Sequence, residues 1–286
     1  MPGDGPTEGT ALTAGTEARI GLAEAAERLG VHYMTAYRYV RTGRLPAVSV
    51  DGRWQVDPAD LVALAADGPV RRVRGGSRAG AAAHLEARLL EGDEAGAFAI
   101  CEDALAAWAT PADIHLDLLV PALRSIGRRW EEGELTVADE HRASAVATRV
   151  LGRFGPRFVR PGRRRGSVVI GAPAGDRHSL PVMMVGDLLR DAGYAVVDLG
   201  ADTPGESFVE AARSADRLVA VAIGATLTGN EGAVTAAVAA LHAGVPGAVV
   251  IVGGAAVPDE AAADQVGADR WSGPDGRSMV ARVTAG

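Results

Sequence analysis

The sequence contains one cysteine, Cys101, and no lysine: all 29 basic residues among its 286 are arginine. A single thiol excludes an intramolecular disulfide framework and cysteine-rich zinc sites, so a reducing cytosol is the expected compartment. The missing lysine reflects genomic base composition more simply than a demand for guanidinium chemistry. No run approaches the ~20 uninterrupted apolar residues of a membrane-spanning helix. The opening segment MPGDGPTEGTALTAGTEA lacks the basic and apolar regions of a secretion signal, and residues 1–17 read as a disordered lead-in.

What is present suits packed helices and sheets: 48% hydrophobic residues and 37 glycines, in a chain long enough for two or three modules. The net charge of −7 is unevenly spread. From Glu17 to Arg78 ten arginines stand against seven acidic residues, a balance of +3 that leaves −10 for the remainder. An acidic body carries a basic head.

Residues 18–67 form that head. Leu22, Ala25, Ala26 and Leu29 repeat at helical spacing before Gly30, a residue suited to a left-handed helix cap. A second helix near Tyr33–Thr42 places Ala36, Tyr37 and Val40 on one face, with Thr35, Arg38 and Arg41 on the other. Two short strands flank Asp51-Gly52, a hairpin signal, and Asp57-Pro58 opens another helix. Helix, turn, helix and basic wing coincide, which points to DNA; the alternative is a small helical domain with solvated arginines. Arg38, Arg41, Arg44 and Arg53 are the candidate phosphate or base contacts, with His32, Tyr33 and Thr35 at the start of the recognition helix. The Gly-, Pro- and Arg-rich stretch 68–78 reads as a linker.

Residues 79–160 are helical throughout, with Asp93, Thr110 before Pro111, and Thr136 as predicted N-caps, and four helices with short connections make a bundle. Trp130 near the end of the third helix and Glu140-His141 early in the fourth converge across an antiparallel turn. On residue pattern alone, rim packing for the tryptophan and a solvated face for Glu140-His141 are the favoured reading over a site.

Residues 166–284 alternate short β-branched runs (SVVIGAP, YAVVDLG, LVAVAIGAT, AVVIVGG, ADRWSG) with helical segments, the pattern of a flavodoxin-like, doubly wound parallel sheet. Ligands bind such sheets at the strands' C-terminal ends, where Asp176, His178, Thr226, Gly253 and Gly254 all fall. No GxGxxG spacing follows the first strand and no Walker sequence occurs, which argues against nicotinamide and nucleoside triphosphates. His178 can bind a metal through one ring nitrogen while Asp176 accepts a hydrogen bond from the other. One protein ligand suits a metal already held by a macrocycle, since a bare zinc or iron ion wants more.

The phrase TAYRYVRTGRLPA and its surrounding elements resemble the MerR and excisionase class of winged DNA-binding domains. Asp176-x-His178, with paired glycines after the fourth strand, resembles the cobalamin-binding domains. With Trp130, then Glu140-His141 ten residues on, the whole order over residues 18–283 resembles the CarH and LitR family of cobalamin-dependent photoreceptor repressors. The resemblance implies adenosylcobalamin as cofactor, His178 as its lower cobalt ligand, and Trp130, Glu140 and His141 around the upper adenosyl group. It further implies a homo-oligomer, tetrameric in that family, that binds operator DNA in the dark and releases it on photolysis, without catalytic turnover. Three positions depart from the family pattern: Pro181 replaces a glycine, Gly224 or Ala225 replaces a serine that bonds the buried cofactor tail, and Glu131 stands where some members have a cobalt-capturing histidine. Two other readings stay open: a corrinoid carrier in methyl transfer, and a repressor whose degenerate sensor no longer uses cobalamin.

Overall fold

The computed structural model describes residues 19–29, 33–41, 45–50, 53–66 and 78–284. The chain divides into two compact units, Met1–Gly76 and Ser77–Gly286.

In the first unit, β1 (Ile20–Gly21) leads into α1 (Leu22–Leu29) and α2 (Tyr33–Arg41), followed by β2 (Ala47–Val50), β3 (Arg53–Val56) and α3 (Pro58–Ala66). The strands form an antiparallel sheet in the order β1-β3-β2. Val50 pairs with Arg53, the register that a two-residue connection at Asp51-Gly52 requires. Asp57 starts α3 by accepting the Ala59 amide at 2.9 Å, with Pro58 at the first helical position, where a missing N–H costs nothing. The apolar repeat of α1 is buried against Ala36, Leu45, Val56 and Leu61. Thr35 departs from its expected outward position: at 8% exposure it is buried beside Ala36, so the inward sector of α2 is wider than a stripe through Ala36, Tyr37 and Val40.

The second unit opens with α4 (Arg78–Glu91) and α5 (Glu94–Ala107). Next, α6 (Pro111–Asp113), a π-helical segment (Ile114–Leu119) and α7 (Val120–Glu131) run on as one continuous helix, before α8 (Val137–Phe154) and a 3₁₀ turn (Gly155–Phe158). The predicted N-caps are in place: Asp93 accepts from the Gly96 amide, and Thr110 and Thr136 form reciprocal capping boxes with Asp113 and Asp139. The π segment has a local cause. Pro121 cannot donate and its ring crowds the carbonyl four residues back, so the bonding widens and Val120 donates to His115 instead.

The rest of the unit alternates β4 (Ser167–Gly171), α9 (Ser179–Asp191), β5 (Ala195–Asp198), α10 (Gly205–Ser214), β6 (Leu218–Gly224), α11 (Glu231–Gly244), β7 (Val250–Gly253), α12 (Glu260–Gln265), β8 (Arg270–Trp271) and α13 (Gly276–Thr284). The sheet is parallel in the order β5-β4-β6-β7-β8. Successive strand residues serve opposite faces. Val169, Val221, Ile223 and Val252 pack with α10 and α11, whereas Val168, Ile170, Ala222 and Ile251 pack with α9 and α13. The connection from β4 leaves toward one face and that from β6 toward the other, which opens a crevice between their C-terminal ends.

The helical bundle shares a core with this layer, since Met184 and Leu188 of α9 join Leu85, Cys101, Ile114, Leu118 and Phe154. A polar joint crosses the same seam. His115 of the π segment, fully buried against the Phe158 ring, meets Asp187 of α9 at 3.1 Å, and Arg190 donates to the other Asp187 oxygen at 2.9 Å. His115→Leu is expected to cost ~1–3 kcal/mol by leaving one oxygen of the buried Asp187 carboxylate unpaired while Arg190 still holds the other, and the double substitution with Asp187→Leu to recover little of it, since Arg190 then loses that bond. Urea unfolding of both variants measures the difference.

Candidate functional site

Asp176 lies at the centre of the crevice. It sits in the loop between β4 and α9, its side chain is 1% exposed, and its two oxygens are divided between two tasks. Oδ1 accepts from the His178 amide at 3.0 Å and from His178 Nδ1 at 2.7 Å. Oδ2 accepts from the amides of Thr226 at 2.6 Å and Leu227 at 3.0 Å in the loop after β6. The carboxylate therefore spans the point where the two connections diverge. Burial raises its pKa, yet the Leu227, His178 and Thr226 amides and then the His178 ring outweigh burial and hold it below the ordinary carboxylate range. A lowered folded-state value stabilises the fold above the usual carboxylate pKa, a contribution lost as pH falls through the lowered one.

An ionised Asp176 accepts a hydrogen bond from Nδ1–H of His178, which keeps the proton on Nδ1 and leaves Nε2 with a free lone pair. The imidazole is 52% exposed, as a ligand presented at a crevice mouth must be. His178 is also the N-cap residue of α9, which places Pro181 in the first helical turn, where its missing N–H removes no bond.

On the bundle, α7 ends just past Trp130 and α8 begins just before Glu140-His141. Trp130 is 45% exposed, unusual for so large an apolar ring. The Glu140 carboxylate is held by His141 Nδ1 and by the Ser144 hydroxyl, each at 2.6 Å. Burial raises the Glu140 pKa, but Ser144, His141 and the charge of His178 outweigh it and lower the value. Glu140 and His141 thus sit together at the start of α8, tied to each other and to Ser144.

The other expected residues contribute differently. Thr226 enters through its backbone amide. Gly253 and Gly254 are demanded by the fold itself: a Cβ at Gly253 would collide with the Ser272 side chain, and one at Gly254, with φ +120°, would collide with the Ala225 carbonyl. A Cβ at Gly224 would meet Val182 at 3.4 Å and the Gly171 carbonyl at 3.9 Å. In the first unit Tyr33 and Arg53 are exposed, whereas Thr35 is buried and so unsuited to base contact. Arg38 and Arg41 lie on α2, and His32 and Arg44 fall outside the described residues. Ser144 and the loop-holding residues Asp202 and Asn230 are unforeseen. The one sequence signal for the last two is their place just after β5 and β6.

Among the described residues no group of three or more His, Cys, Asp or Glu side chains converges to hold a bare metal ion. None of the described helices is long and apolar enough to cross a membrane.

Comparison with known proteins agrees with this geometry. Residues 81–154 and residues 166–282 each match a family described as B12 binding domain, and residues 20–69 match one described as helix-turn-helix domain. The chain is 29% identical over 197 residues to trimethylamine corrinoid protein 1 of Methanosarcina acetivorans, covering 68% of this chain and 90% of that protein. It is 29% identical over 171 residues to the dimethylamine corrinoid protein of Methanosarcina barkeri, covering 57% and 77% respectively. The solved monomethylamine corrinoid protein of Methanosarcina barkeri aligns with a TM-score of 0.64 at 20% identity, over 73% of this chain and all of that one, and so shares the fold. The residues present fit a corrin-held cobalt: one imidazole with its second nitrogen engaged by a carboxylate, no competing multidentate metal cluster among the described residues, and small residues at the ends of β6 and β7. The matches support a cobalamin-binding module following a helix-turn-helix segment.

Proposed function

We propose that this protein is a cobalamin-dependent, light-responsive transcriptional repressor of the cytosol, assembled as an adenosylcobalamin-bound oligomer on operator DNA in the dark and released by light. The carrying observation is His178, fixed by Asp176 at the sheet edge, in a chain headed by a helix-turn-helix segment. Bound adenosylcobalamin supplies a cobalt–carbon bond that light breaks. His178 Nε2 would hold the cobalt, and Asp176 would keep the Nδ1 proton in place. Trp130 offers an apolar wall to the upper group, while Glu140 and His141 form a polar pair that Ser144 holds. The chain performs no turnover; its output is the change in how tightly the head holds DNA.

A second reading, a corrinoid carrier in methyl transfer, is favoured by the corrinoid proteins among the relatives. It gives no task to the helix-turn-helix segment. Selection from a random DNA duplex pool separates the two. The repressor reading expects sequence-specific retention by adenosylcobalamin-loaded protein in the dark and its loss under green light. DNA retention that is absent, or the same in every state, contradicts it. Replacing Arg38, Arg41, Arg44 and Arg53 together by alanine is expected to flatten the salt dependence of binding by roughly one unit of log–log slope per lost phosphate contact. An unchanged slope places the DNA surface elsewhere.

A further inference from the structure

The loop that carries Asp176 is itself clasped from both flanks. On the β5 side Asp202 adopts φ +55°, a left-handed conformation uncommon for a residue with a side chain. That backbone makes two bonds to the loop 27 positions earlier: Asp202 Oδ1 accepts the Gly175 amide at 2.7 Å, and the Asp202 amide donates to the Asp176 carbonyl at 2.8 Å. The next residue extends the contact, as the Thr203 amide donates to the Ala172 carbonyl at 2.9 Å. On the β6 side Asn230 Nδ2 donates to the Ala174 carbonyl at 2.9 Å. Gly175 sits between the two at φ +85°, where a Cβ would come within 3.3 Å of the Asn230 side chain. Asp202 thus grips the peptide on either side of the Gly175–Asp176 link, while its own side chain lies on an exposed residue remote from the core.

We propose that Asp202 is a positioning residue for His178: by fixing the Gly175–Asp176 peptide it keeps the Asp176 carboxylate on the Thr226 and Leu227 amides, and the imidazole in the orientation that presents Nε2. This rests on the reading of His178 as cobalt ligand and adds the residue that pre-organises it. A ligand presented on an exposed loop binds more tightly when the loop is held before binding, because less ordering remains to be done.

Two substitutions separate the clasp from the backbone conformation. Asp202→Gly accommodates φ +55° freely but has no acceptor, whereas Asp202→Asn tolerates the left-handed region and keeps an oxygen for the Gly175 amide. With full-length protein and hydroxocobalamin as probe at neutral pH, Asp202→Gly is expected to bind about 10-fold more weakly, the lower end of losses at supporting residues, and to show a bound spectrum shifted away from histidine coordination. Asp202→Asn restores both. In the apoprotein, amide exchange at Thr226 and Leu227, which Asp202 does not touch, accelerates in the glycine variant and returns to wild type in the asparagine variant. Wild-type affinity, spectrum and exchange in Asp202→Gly overturn the assignment. If wild-type protein takes up no hydroxocobalamin, the cobalamin reading fails. Exchange at Thr226 and Leu227 then still decides the positioning role: unchanged rates overturn it and faster rates support it.

Discussion

His178→Ala is expected to leave the apoprotein folded and to abolish histidine coordination in the cobalamin-loaded protein. The ring is half-exposed, so its loss opens no core cavity, and its one polar partner, Asp176, keeps the Thr226 and Leu227 amides. Asp176 then retains most of its stabilisation, and the change falls on the ligand alone. The absorbance spectrum of bound cobalamin reads this directly, and a spectrum unchanged from wild type refutes the lower-ligand role. Asp176→Ala acts in the opposite proportion. It is expected to weaken binding by ~10–100-fold and to leave only part of the bound cobalamin off histidine. It also frees two amides in the second loop, so an effect as large as the histidine deletion would mark the clamp between the loops as the larger part of its role.

Illumination of the adenosylcobalamin-loaded protein is expected to dissociate the oligomer and release DNA. Trp130 is exposed, and in the proposed function it takes the adenosyl group as packing partner. Loss of that group is expected to return the ring to water and to let the bundle move against the sheet. The seam resists that movement through His115–Asp187 and through Arg277, which binds Asp113 at 2.8 Å. Passing from almost wholly assembled to almost wholly dissociated needs a shift of ~5.5 kcal/mol between the two states. Glu131, next to Trp130, offers no imidazole to hold the shifted state. The light product is therefore expected to exchange with added imidazole and to reassemble when fresh adenosylcobalamin is supplied. Glu131→His should make it more persistent. Size-exclusion chromatography and spectra of illuminated wild type and variant test this: a wild-type product refractory to imidazole would mean that His141 or another histidine captures cobalt.

Features that depend on neighbours in sequence were legible before the structure. The five β-branched runs became β4 to β8, and Asp93, Thr110 and Thr136 cap helices through bonds spanning three residues. Asp176 and His178, two positions apart, were readable as a pair for the same reason. Features set by packing were not legible. β1 is two residues long and owes its existence to β3, 36 or so residues away by register, too little sequence for a period to show. Thr35 is polar at a helix start, which reads as outward, yet the sector around Ala36 buries it. The π segment had a signal in Pro121 that periodicity alone overlooks, because the apolar spacing continues through it. The hold of Asp176 on Thr226 spans 50 residues and that of Asp202 on Gly175 spans 27, so both emerge only once the sheet brings the loops together. Gly253 and Gly254 read as part of the ligand-binding edge, whereas Ser272 and Ala225 already demand them.

In the proposed function, a cobalamin held by His178 couples light to the assembly of a DNA-binding protein. The most direct measurement is the absorbance spectrum of the full chain purified with adenosylcobalamin, taken before and after green light, with the oligomer size followed on the same samples. The account predicts a stoichiometric, histidine-coordinated complex in the dark, a spectral change on illumination that is absent without cofactor, and dissociation that accompanies it. A chain that retains no adenosylcobalamin, or one whose size is the same in the dark and after complete photolysis, would contradict it.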